Sequence, residues 1–221
     1  SERTGIQVFD DNLNFVFEIP ILFTVSDLNV LSEDEIAVSA LRKDRSEKGD
    51  FLYCLYVFDS RATEKEKIIY ATSKNLTMMN MAIFRIDQRE NSVIVYSWRD
   101  KIEKFDRNGN LLWTRSLLAG REVRTRKTKA TKLTINEYPL EIVYKAVALD
   151  AYGNIFVLGG DLSDNRSRDV YVLNEKGEHL LTLTLPESSH TIHIDSKNYL
   201  YSRSEDGKKI HSITNGGEKY L

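Results

Sequence analysis

Cysteine is almost missing from this chain of 221 residues: Cys54 stands alone, so no internal disulfide can form and the fold must rest on its core. Proline occurs three times, and Pro20 and Pro186 each close an apolar run, where a strand loses no ladder donor. Long hydrophobic runs are absent; the longest, such as Phe51–Phe58, fall well short of the ~18 residues a membrane-spanning helix needs. Neither sign of charge dominates, with 31 Lys and Arg against 33 Asp and Glu, so the chain as a whole is no polyelectrolyte ligand. A cationic leader followed by an apolar segment is not seen at the start, which fits either the cytoplasm or export with a signal removed. Helical periodicity is nearly absent, as are a Gly-x-Ser-x-Gly elbow, a His-Glu-x-x-His pair and a glycine-rich phosphate loop.

What is present is period-two alternation over five to eight residues, rich in Val, Ile, Tyr and Phe, which marks β-strands. Turn segments break it regularly: Asp106–Asn110, Asp150–Asn154, Asn174–Gly177, Asp195–Asn198 and Glu205–Lys208, all with residues that tolerate a positive φ. The strands recur in sets of four. Tyr144–Asp150, Asn154–Leu158, Asp169–Leu173 and His179–Leu185 form one set; Thr191–Asp195, Tyr199–Ser202, Lys209–Ile213 and Glu218–Leu221 repeat it. Earlier copies run Met81–Ile86, Ser92–Trp98, Lys101–Phe105 and Leu111–Arg115, and, more divergently, Asp27–Leu31, Glu35–Ser39, Phe51–Phe58 and Lys67–Tyr70. Gly5–Phe9 and Asn14–Ile19 match only the third and fourth strands of a set.

Aligned on Ile6, Leu55, Ile102, Val170 and Ile210, the third strands are separated by 49, 47, 68 and 40 residues. A repeat of roughly 40–50 residues is that of a four-stranded propeller blade, and the 68 is one blade plus an insertion. The chain therefore reads as an all-β propeller within one domain, 1–221: a half blade at 1–20, four-stranded antiparallel blades at about 21–73, 74–118, 143–187 and 188–221, and an insertion at 119–142. About four and a half blades are expected, most of a six-bladed ring with the remainder upstream.

Ala146–Asp150 followed by Tyr152–Val157, together with Gly5–Asp10 as a third strand, resembles the NHL-type six-bladed propeller repeats. Phe105–Thr114, with its Trp after a glycine turn, is similar to quinoprotein-type repeats, although one such Trp does not argue for a quinone. The resemblance implies a propeller that binds through a loop face and leaves the ligand open.

The insertion holds the densest charge: Arg121, Arg124, Arg126, Lys127, Lys129 and Lys132 with a single anion, Glu122. A solvated loop is the bland reading, and contact with an acidic partner or RNA the sharper one. Asp161, Asp164, Asn165 and Asp169 offer oxygens to calcium, but Arg166 and Arg168 lie among them and the spacing is not that of a calcium loop, so a charged turn is expected. His190 and His193, three apart on a strand, diverge and suggest no zinc site. Cys54 reads as buried filler. The expected function is a non-catalytic scaffold that binds a protein or other polar ligand, through the insertion and the loops 42–50 and 160–168, with no cofactor. The alternatives are a hydrolase or lyase with a channel-facing site, for which Arg85, Lys145, His190 and His193 are the sparse polar candidates, and RNA binding by the insertion.

Overall fold

The computed structural model describes residues 5–10, 12–20, 24–32, 34–43, 50–61, 63–74, 77–127 and 137–213. Among them there are strands and turns but no helix. A hairpin of β1 (Gly5–Phe9) and β2 (Phe15–Pro20) comes first. Three antiparallel four-stranded sheets follow: β3 (Thr24–Ser32) to β6 (Glu64–Ser73) through β4 (Glu35–Lys43) and β5 (Phe51–Asp59); β7 (Ala82–Ile86), β8 (Ser92–Tyr96), β9 (Ile102–Phe105) and β10 (Leu111–Arg115); and β13 (Tyr144–Leu149), β14 (Ile155–Gly159), β15 (Asp169–Leu173) and β16 (His179–Thr184). The last sheet has β17 (Ser189–Ile194), β18 (Leu200–Ser204) and β19 (Ile210–Ile213). The expected fourth strand at 218–221 lies outside the described residues. Segment 119–142, read from sequence as a loop, contains a short hairpin of β11 (Thr125–Lys127) and β12 (Glu137–Pro139).

Each sheet is a simple meander, and the first strands of successive sheets, β3, β7, β13 and β17, lie against one another in that order. This is the radial stacking of a β-propeller. The reason is visible strand by strand. Along β5, Tyr53, Leu55 and Val57 face the β7–β10 sheet, while Leu52, Cys54, Tyr56 and Phe58 face the β1–β2 hairpin. On β8, Ile94 and Tyr96 point one way and Val93 and Val95 the other. Both β14 and β15 divide likewise, with Ile155, Val157 and Leu173 on one side and Phe156, Leu158, Val170 and Val172 on the other. A strand with both faces apolar needs a neighbour on each side, at roughly 1.5–3 kcal/mol per fully buried large side chain. Cys54 is one of these, with no exposed surface.

The meander sends the connections to two ends. At one end lie the turns between first and second and between third and fourth strands, and seven of them share one design. Asp106 Oδ1 accepts from the N–H of Asn108 (2.9 Å) and Asn110 (2.8 Å), and Oδ2 accepts from Asn110 Nδ2 (2.9 Å). The same pattern of backbone N–H groups two and four residues on closes the turns at Asp10, Asp59, Asp87, Asp150, Asn174 and Asp195. In six of these turns the fourth residue is left-handed, glycine at 109, 153 and 177 and Leu13, Glu90 and Asn198 in the other three. At the other end the connections vary in length and carry the segment 116–143 and the loops 97–101, 160–168, 185–188 and 205–209.

Candidate functional site

The end with variable connections is held together across three sheets. Asp100, between β8 and β9, accepts from the backbone N–H of Leu117 (2.8 Å), Leu118 (2.9 Å) and Gly120 (2.7 Å), and from the Tyr144 hydroxyl. Burial, then the hydrogen bond to Asp100 and its charge, push the Tyr144 phenol well above its ordinary value. A chain of backbone bonds continues round the rim: Val143 N–H to Ser97 O (2.8 Å), Gly160 N–H to Val143 O (2.7 Å), Ser189 N–H to Ser167 O (2.8 Å) and Glu205 N–H to Ser188 O (3.1 Å). Gly160 is glycine for want of space, since a Cβ there would stand 2.2 Å from the Ile142 carbonyl oxygen.

The cations singled out in the insertion do not act alike. Arg121 donates to Leu162 O (2.8 Å) and Asp164 (3.1 Å), pinning the insertion to the 160–168 loop. Arg124 makes a fork with Glu141 (2.6 and 2.9 Å), and that hydrogen-bonded guanidinium holds the Glu141 carboxyl low. Arg126 and Lys127 on β11 are exposed and enter no ion pair among the described residues. Arg126 stands opposite Tyr138 in the hairpin, and Leu140 is exposed just beyond. Lys129 and Lys132 lie outside the described residues, as does most of the loop 42–50.

The calcium candidates point elsewhere. Asp161 binds Arg166 (2.8 and 2.9 Å) and accepts from Ile142 N–H (2.9 Å), Asp164 takes Arg121, and Asp169 accepts from both the backbone N–H (2.8 Å) and side-chain amide (2.9 Å) of Asn165. Their oxygens are taken up by bonds within the loop and to the insertion. Among the described residues no group of three or more His, Cys, Asp and Glu side chains is placed to hold a metal ion. The polar residues of the inner strands are also paired: Arg85 with Asp27 (3.3 Å) and Lys145 with Glu205, while His190 and His193 are both exposed on β17.

Sequence reasoning missed a depression at the opposite end. The turns that follow β7, β13 and β17 surround a cavity of about 350 Å³. Ile86, Leu149 and Ile194, the last residue of each inner strand, line it together with Asp87, Asp150 and Asp195, the capping residue of each turn. A signal was there to find: an aliphatic residue followed by Asp at the same point of three repeats. Burial raises the Asp87 carboxyl, but hydrogen bonds from Lys104 (2.8 Å), itself buried, and Asn91 outweigh it and leave the group below its ordinary value. The Tyr199 N–H, chiefly, does the same for Asp195.

The architecture places the chain among the β-propellers. No protein-family model matches it, and no curated protein sequence does. Solved structures do match in fold. A protein of unknown function from Bacteroides caccae superposes with a TM-score of 0.60 at 13% identity, over 99% of this chain and 68% of that one. The WD40 β-propeller domain of Doa1 gives 0.57 at 13% identity, over 92% and 55%, and BBS1N, crystallised in complex with ARL6DN, gives 0.52 at 12%, over 93% and 57%. This chain thus spans a little over half the length of the last two. Among the described residues no helix is long and apolar enough to cross a membrane.

Proposed function

We propose that this propeller is a non-catalytic binding scaffold whose variable-loop end docks an acidic segment of a protein partner. The observation that carries the reading is the Asp100 anchor: one carboxylate ties down the N–H groups of Leu117, Leu118 and Gly120, so the entry into the long connection, which would otherwise lose entropy on binding, is fixed beforehand. On that ordered base stand Arg126 and Lys127, exposed cations beside Tyr138 and Leu140, a mixture suited to a polar protein surface. BBS1N, of the same fold class, is seen in complex with ARL6DN, a use in keeping with this one. Membership in an NHL-type ring of six blades, with residues 1–221 in one propeller domain, belongs to the same proposal and rests on the repeat signatures. Selection of a displayed random peptide library on the purified chain tests it. Acidic peptides should be enriched, and the double variant Arg126→Glu/Lys127→Glu should weaken them at least tenfold. Enrichment without acidic bias, or affinity unchanged in the double variant, contradicts it.

A further inference from the structure

The cavity ringed by the β7, β13 and β17 turns lies at the other end of the molecule from the docking surface proposed above and has a chemistry of its own. Three aliphatic residues from three sheets, Ile86, Leu149 and Ile194, line it beside the capping carboxylates. A volume of about 350 Å³ falls within the roughly 300–1,000 Å³ of small-ligand sites, enough for one long side chain. Tyr152, 67% exposed, is among the residues that line it. The charges around it are unequal. Asp87 is matched by Lys104 and Glu175 by Arg89 (3.2 Å), but Asp150 and Asp195 enter no ion pair among the described residues. Aliphatic side chains set beside unpaired carboxylates complement an aliphatic stem that ends in a cation, whereas an acidic or purely apolar group would leave either those carboxylates or its own charge unmatched. An aromatic ring in the lining adds a surface for the cation.

We propose that this axial cup receives a lysine or arginine side chain presented by a protein partner, its methylenes on Ile86, Leu149 and Ile194 and its charge toward Asp150, Asp195 and the Tyr152 ring. The second site is independent of the docking of acidic segments by Arg126 and Lys127, so either can fail alone.

Titration of the purified chain with the peptide Gly-Gly-Lys-Gly-Gly amide, followed by NMR of backbone amides and Ile and Leu methyls, tests it. The expected result is saturable shifts at residues 86, 149 and 194, weakened by salt, with the norleucine peptide at least tenfold weaker and the glutamate peptide inactive. Gln88→Lys/Ser196→Lys, which sets two cations in the lining without touching a capping Asp, should reduce lysine-peptide affinity at least tenfold while the melting temperature holds. Arg126→Glu/Lys127→Glu should leave that affinity unchanged. Equal shifts with norleucine, shifts confined to other regions, or full binding by the Gln88→Lys/Ser196→Lys variant would overturn the proposal.

Discussion

At Asp106 and Asp150 the chain makes one turn twice; at Asp100 and Asp161, on the opposite end, two aspartates do unrelated jobs. The first pair cap their own hairpins through N–H groups two and four residues on. The second pair reach beyond their own loops, Asp100 to Leu117, Leu118, Gly120 and Tyr144 and Asp161 to Ile142. Local capping repeats because each blade needs the same reversal. Long-range anchoring does not repeat, because each long connection is different. One end of the propeller is therefore frame, and the other is where a sequence can vary its surface without disturbing the blades.

Substitutions should separate the two ends. The largest effect is expected at the frame. Asp87→Ala strips the partner from the buried Lys104 ammonium, and should lower stability by about 3–5 kcal/mol; Asp87→Ala/Lys104→Met should recover much of it, as denaturant unfolding would show. Gly160→Ala follows, at about 2–3 kcal/mol, because its Cβ would press on the Ile142 carbonyl, and hydrogen exchange should locate the disturbance at 141–143 and 160–161 rather than at the turns. Gly177→Ala is next, at about 1–2 kcal/mol: φ is +76° and the Trp113 ring lies 3.0 Å from the new Cβ. That ring also donates its Nε1–H to Glu175 O (3.1 Å), so the tryptophan that looked like a quinoprotein signature clamps one blade to the next, and its fluorescence should report the change.

Much of the frame was legible, and for a physical reason. Strands buried on both faces write continuous apolar runs such as Phe51–Phe58, and turns that need a positive φ write Asp-x-x-Gly-Asn. The equivalent turns at Asp10 and Asp87 escaped notice because Leu13 and Glu90 take the left-handed position in place of glycine. β11 and β12 were illegible: three residues each, far apart in sequence, carry no periodicity. The fate of the insertion cations was illegible too, since Arg121 and Arg124 are neutralised by Asp164 and Glu141, partners that only folding brings near. The axial cup left only a partial trace, an aliphatic residue followed by Asp at the same point of three repeats, because its shape forms only once the blades are set round an axis.

The smallest expected effect is with pH. Asp106 and Asp195 titrate lower when folded, through their Asn110 and Tyr199 hydrogen bonds respectively. Their stabilisation is complete above the ordinary value near 3.8 and is lost as pH falls through the lower folded value. Asp106→Asn should flatten the slope of stability against pH in that acid window and leave it unchanged above pH 5.

The most direct test of loop-end docking is the affinity of Asp100→Ala for an acidic peptide selected on the parent chain. Arg126 and Lys127 are untouched in this variant, and hydrogen exchange would report the release of residues 117–120. If the ordered base matters, affinity falls at least tenfold while the turn-end amides at 108, 110, 152 and 154 keep their protection. Undiminished affinity in a variant whose insertion has come loose would contradict the account.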